Sequence, residues 1–184
     1  MANVIYNIEE VKVFDYMQGG TVTDWTPEAE DTESKGFDKR LAAATSLGMT
    51  QGGGTLNQEV TEIEVRSDQC ADPLTILTKE AKKTLTLNLL EATPETLKYA
   101  FAGEANGDMM SFKRLPEGMV KSVYIRTKSV DGTYFEFRIL KAKMKGNSSI
   151  NFGADEVTKF PVEMTILSPD DENSEPIRFY KKTA

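Results

Sequence analysis

Between Gly48 and Thr55 the chain reads G-M-T-Q-G-G-G-T, one residue short of the phosphate-cradling pattern G-x-x-x-x-G-K-[ST]. The missing residue decides the matter. Gly54 stands where a lysine would neutralise phosphate, and no buried strand precedes the loop, so the glycines read as freedom for a tight or mobile backbone. Downstream, Glu59, Glu62, Glu64, Asp68 and Asp72 contain the two carboxylates that a glycosidase needs, but no spacing selects a pair. They read instead as the solvated face of a strand and its turn. The chain has no histidine and one cysteine, Cys70. Imidazole catalysis, histidine metal sites and thiolate clusters are thereby excluded, and no histidine is present to activate Cys70 as a nucleophile. A carboxylate site for magnesium or calcium stays open in principle. The expectation is no catalytic set, no cofactor and no resident metal. Asn147-Ser148-Ser149 fits a glycosylation pattern but reads as loop, and Trp25 with the hairpin aromatics reads as core or interface.

The elements that would carry these residues are mostly strands. Residues 4–16 alternate as a strand ending in the turn Gln18-Gly19-Gly20, and residues 59–66 do so again, with Thr61, Ile63 and Val65 opposing Glu62 and Glu64. Leu85, Leu87 and Leu89 form one apolar row, after which the period changes. Thr93 is a suitable N-cap, Pro94 suits the first helical position and Glu95 suits the helix dipole, so a short helix over 93–102 presents Leu97, Ala100 and Phe101, with Gly103 as its left-handed cap. A hairpin turns at Asp131-Gly132, a pair suited to type I′. In its second arm Phe135, Phe137 and Ile139 are apolar at odd positions, then Leu140, Ala142 and Met144 at even ones, which calls for a bulge near Ile139 and Leu140. A last clear strand places Phe160, Val162, Met164 and Ile166 on one face, and Pro161 hints at an edge.

Two regions resist this reading. Residues 41–47 offer at most a helical turn, and residues 46–57 hold too much glycine for a regular element. The expectation is one domain over 1–184 with 21–58 as a long loop or arm and 169–184 as a C-terminal arm or last strand. Fully extended, the 18 residues 41–58 would reach roughly 60 Å. The fold class expected is mainly β (α+β): a sandwich or barrel of antiparallel strands flanked by one short helix, with an extended loop and terminal arms.

The formal charge of the 184 residues is -7, which disfavours tight nucleic-acid binding. Charge is uneven. Residues 24–38 hold six acids against Lys35, and residues 121–145 hold seven bases against Asp131 and Glu136. These are either ordinary solvated faces or complementary surfaces of two copies. No apolar run approaches the roughly 20 residues that span a bilayer, and the opening residues have no leader-like pattern.

The order of these pieces resembles the major tail tube proteins of long, non-contractile bacteriophage tails. The residues that carry the resemblance are Leu47-Gly48-Met49-Thr50 with Gly52, Gly53 and Gly54, then Ile63-Glu64-Val65, Ser67-Asp68-Gln69 and Asp72-Pro73. The strand ending at Glu91, the Thr93-Pro94-Glu95 helix start with Leu97, the late hairpin and the stretch FPVEMTILSPD continue it, over roughly residues 42–170. The resemblance implies hexameric rings stacked into a tube, with arms reaching neighbouring subunits and double-stranded DNA passing down the lumen without specific binding. It implies Leu47, Gly48, Met49, Thr50, Gly52, Gly53 and Gly54 as inter-subunit contacts. It further implies tape measure, tail terminator and tail-tip proteins as partners, no membrane, and a place in the virion tail after assembly in the host cytoplasm. An inner-tube subunit of a contractile tail or secretion device, and a soluble β-sandwich binding module, are the alternatives.

Overall fold

The computed structural model describes residues 7–16, 37–66, 72, 75–150, 158–170 and 175–183. In chain order the elements are β1 (Ile8–Asp15), α1 (Phe37–Ala42), β2 (Thr45–Ser46), β3 (Thr50–Val65), β4 (Thr75–Leu89), α2 (Pro94–Phe101), β5 (Glu104–Asn106), β6 (Met109–Ser111), β7 (Val120–Thr127), β8 (Thr133–Met144), β9 (Phe160–Ile166) and β10 (Ile177–Thr183). The described residues are mainly antiparallel sheet with two short helices. One sheet runs β2-β1-β7-β8-β9-β4-β3, with β10 also on β8, and β5 and β6 form a small separate hairpin.

The alternating apolar rows become a single core. Leu85, Leu87 and Leu89 of β4, Phe160, Val162, Met164 and Ile166 of β9, and Val11 and Val13 of β1 are all buried in one cluster. Each such aliphatic side chain contributes about 1.5–3 kcal/mol when removed from water. Pro161, expected near an edge, lies opposite Asn88 on a strand flanked by β4 and β8. It is tolerated because β8 pairs with β9 only at Met164, Thr165 and Ile166, so the sheet is one-sided at Pro161.

The change of period after Leu89 is built as the sequence suggests. The Thr93 hydroxyl accepts from the Thr96 N–H at 3.2 Å, and the Thr96 hydroxyl accepts from the Thr93 N–H at 3.0 Å, a reciprocal cap made by two threonines. The helix then lays Tyr99 and Ala100 into the core, with Leu97 and Phe101 packed at its border. Tyr99 was not among the expected contacts. The left-handed residue that ends α2 is Ala102, not Gly103. Gly103 is needed for room instead, since a Cβ there would meet the Ser111 carbonyl oxygen at 2.6 Å.

The β7–β8 turn has positive φ at both Asp131 and Gly132, the requirement of a type I′ turn. Beyond it the register slips: Val123 faces Ile139, and two residues back along β7 Lys121 faces Ala142, so β8 carries one extra residue. That bulge turns Leu140 to the opposite face, where it packs with Phe14 and Tyr124, while Ile139, Ala142 and Met144 stay in the main core. The odd-to-even switch therefore keeps the apolar row of β8 on one face across the bulge, with Leu140 turned to the other.

The glycine-rich stretch is corrected. From Thr50 it is strand, paired with β4 along most of its length. The glycines make a bulge: Thr50 faces Leu89 and Gly54 faces Leu87, so residues 51–53 oppose Asn88 alone, and Gly52 and Gly53 absorb it with positive φ. Nor are residues 41–58 an extended arm. Leu47 is fully buried in the chain's own core, and its N–H donates to the Val11 carbonyl at 2.9 Å. The C-terminal segment is strand β10 on β8, from Ile177 opposite Ile139 to Thr183 opposite Thr133. The turn at Gln18, the acidic run from Asp24 to residue 36, Trp25, Cys70 and Asp68 fall outside the described residues.

Candidate assembly surfaces

The seven residues singled out by sequence divide by environment. Leu47 serves the core. Gly48, at φ +74, packs directly on the Glu91 side chain, whose carboxylate accepts from the Met49 N–H at 3.1 Å. Thr50 pairs with Leu89, and Gly54 lets β3 approach Leu87 and the Thr86 carbonyl oxygen closely. Outward-facing are Met49, 65% exposed, and Gly52 and Gly53, where an added Cβ would meet nothing within 4 Å.

The larger exposed feature is the outer part of the β3–β4 hairpin. All of residues 55–66 on one strand and 75–82 on the other are exposed. Seven residue pairs at about 3.3 Å each make a ribbon that projects roughly 23 Å beyond the core. Its pairing is regular except at Lys79, the extra residue between Glu80, opposite Thr61, and Thr78, opposite Glu62. Before that bulge Leu56 and Val60 lie on the core side of the ribbon. After it Ile63 opposes Leu77, with Val65 beside them, on the other side. These side chains, with Ile76, are 37–55% exposed. A two-stranded ribbon is marginal alone in water, and one that carries apolar side chains on both faces is suited to a covering surface. Where the ribbon meets the body, a cleft of about 450 Å³ opens between β1 and β3, lined by Ile8, Leu56, Leu87, Ile125 and Phe137.

Charged groups on the body are tied locally. A hydrogen bond from Lys121 holds the Asp15 carboxyl below the usual carboxylate range. Lys145 and Asn147 do the same for Glu163. Behind the core, Glu136 and Arg138 form a buried pair at 3.0 Å, and the Tyr124 hydroxyl donates to Glu136. Burial, then the Glu136 charge, pushes the Tyr124 phenol up. Among the described residues no group of three or more Cys, Asp or Glu side chains is placed to hold a metal ion.

A family model described as phage tail tube protein matches residues 21–184. The chain belongs to that family. As a tail tube protein it is a structural component of a phage tail. Among solved structures it is similar to a chain of the anti-feeding prophage (AFP) baseplate, determined by cryo-electron microscopy and 6-fold symmetrised. Identity is 13% and the TM-score 0.43, over 98% of this chain and 96% of that one, a loose likeness. No curated protein matches the tail tube protein significantly.

For this tail tube protein the sequence signal of the ribbon lay in residues 59–66, read as an ordinary body strand. Glu59 faces Lys82 and Thr61 faces Glu80 across it. Such polar pairs on one side of a strand suit a two-sided, solvated ribbon, but only the partner strand makes the pattern visible.

Proposed function

We propose that this tail tube protein self-assembles into hexameric rings that stack into the wall of a tube, and that DNA passes through its lumen. The observation that carries this reading is the β3–β4 ribbon: apolar on both faces, projecting from its own core, and built to lie on another copy. Family membership supports the assembly, and the net charge of -7 supports fast passage, because a lumen short of cationic contacts does not hold phosphate. Met49, Gly52 and Gly53, outward beside the ribbon's root, are the members of the sequence-derived set that meet neighbours in this arrangement. Tape measure, terminator and tip proteins bind the ends of the tube, and assembly takes place in the host cytoplasm.

Negative-stain electron microscopy of the purified chain tests the proposal. Hollow stacked rings are expected, and Ile63→Asp with Leu77→Asp should leave folded, dispersed subunits. A wild-type chain that stays monomeric across salt and concentration overturns it.

A further inference from the structure

Off the main sheet, β5 and β6 form a hairpin of three residue pairs, closed by Asn106 opposite Met109 around Gly107 and Asp108. Gly107 has φ +59 and Asp108 does not share its left-handed conformation, the pattern of a type II′ turn with glycine in the first central place. Such a turn bonds the backbones of Asn106 and Met109 to each other and leaves the Gly107 N–H outside the ladder. Asn106, Gly107 and Asp108 are all exposed, and among the described residues no hydrogen-bond partner holds the Asn106 carboxamide. Asn106 is also the one asparagine of the sequence that precedes a glycine, so no Cβ shields the next backbone nitrogen. Even a Cβ built on Gly107 would meet nothing within 4 Å.

We infer that Asn106 is a modification site, deamidating spontaneously in the folded chain by attack of the Gly107 nitrogen on the Asn106 side chain. The nitrogen gives up its proton and bonds to Cγ, closing a five-membered succinimide, while the Cγ–Nδ2 bond breaks and ammonia leaves with a proton. Water then opens the ring at either carbonyl, giving aspartate or isoaspartate. Nothing is oxidised or reduced. The paired strand geometry of Asn106 must open for the attack, and three pairs on two strands are marginal in water. The chain's other candidates each lack a feature. Asn57 and Asn147 donate to Glu59 at 3.4 Å and to Glu163 at 2.9 Å, and residues with side chains follow both. Asn88 lies within the main sheet, opposite Pro161. The Asp131-Gly132 turn has no side-chain nitrogen to lose, and it closes strands of 8 and 12 residues. Conversion sets a third carboxylate beside Glu104 and Asp108, and isoaspartate adds a methylene to the main chain, which breaks the Asn106–Met109 closure. Both act beside exposed Met109 and Phe112, the latter edge-on to Phe101 of α2 at 5.3 Å.

Peptide mapping by mass spectrometry of the wild-type chain, stored folded in mildly alkaline buffer, tests the assignment. The peptide that holds Asn106 should gain one mass unit and divide into two isomers, of which the isoaspartate form accepts a methyl group from an isoaspartate methyltransferase. Its conversion should outpace that of Asn57 and Asn147 by at least about tenfold. More alkaline buffer should speed it, because the attacking nitrogen must lose its proton. Asn106→Gln, which would have to close a larger ring, should abolish the signal. An Asn106 that stays intact while either other asparagine converts, or that converts only after unfolding in urea, overturns the inference. A rate that ignores pH, or a mass gain that persists in Asn106→Gln, overturns it as well.

Discussion

Substituting Gly48 by alanine isolates two costs that the structure places at one residue. Its φ of +74 is a left-handed conformation that costs a residue with a Cβ about 1–2 kcal/mol. The new Cβ would also fall on the Glu91 carboxylate, which must swing away and release the Met49 N–H. Losing a hydrogen bond to a charged group costs about 1.5–3 kcal/mol. Together they give about 2.5–5 kcal/mol, or a melting temperature lower by roughly 5–20 °C for a chain of this size. Gly52→Ala is the internal control: its φ is +79, but nothing lies within 4 Å of the added Cβ, so only the backbone cost applies. Urea unfolding of the dissociated chain measures both. In an Glu91→Ala background the Gly48 and Gly52 changes should converge, because the carboxylate that distinguishes them is gone. If Gly48→Ala costs no more than Gly52→Ala in the wild-type background, the claim that Glu91 clamps this loop is refuted.

Two further outcomes follow from the core and the charge pairs. Leu87→Ala, at a fully buried position, should cost about 2–5 kcal/mol and lower the urea midpoint without changing the slope. Glu163, held below the usual carboxylate range by Lys145 and Asn147, contributes stability that is present above the unfolded glutamate value near pH 4.3 and lost as pH falls through its lower folded value. Glu163→Gln should therefore shrink the loss of stability between pH 5 and pH 3, as read by the urea midpoint across that range.

What the sequence settled by itself was local. Alternation fixed which faces of β4 and β9 are buried, Thr93-Pro94 fixed where a helix starts, Asp131-Gly132 fixed a turn, and the switch from Ile139 to Ala142 fixed a bulge. These follow from the period of a strand and the φ that single residues tolerate, both properties of neighbours in the chain. The sequence also carried the family, through the order of its pieces. What only the tertiary structure decided concerns partners distant in the chain. Residues 50–54 become strand because β4 supplies their ladder and the bulge absorbs their glycines, which no local pattern predicts. Leu47 is buried because Val11 lies beside it, so a supposed arm folds onto its own body. Ile63 and Leu77 stand in solvent because the core ends before they are reached, and alternation says only that a strand has two faces, never which of them another element covers.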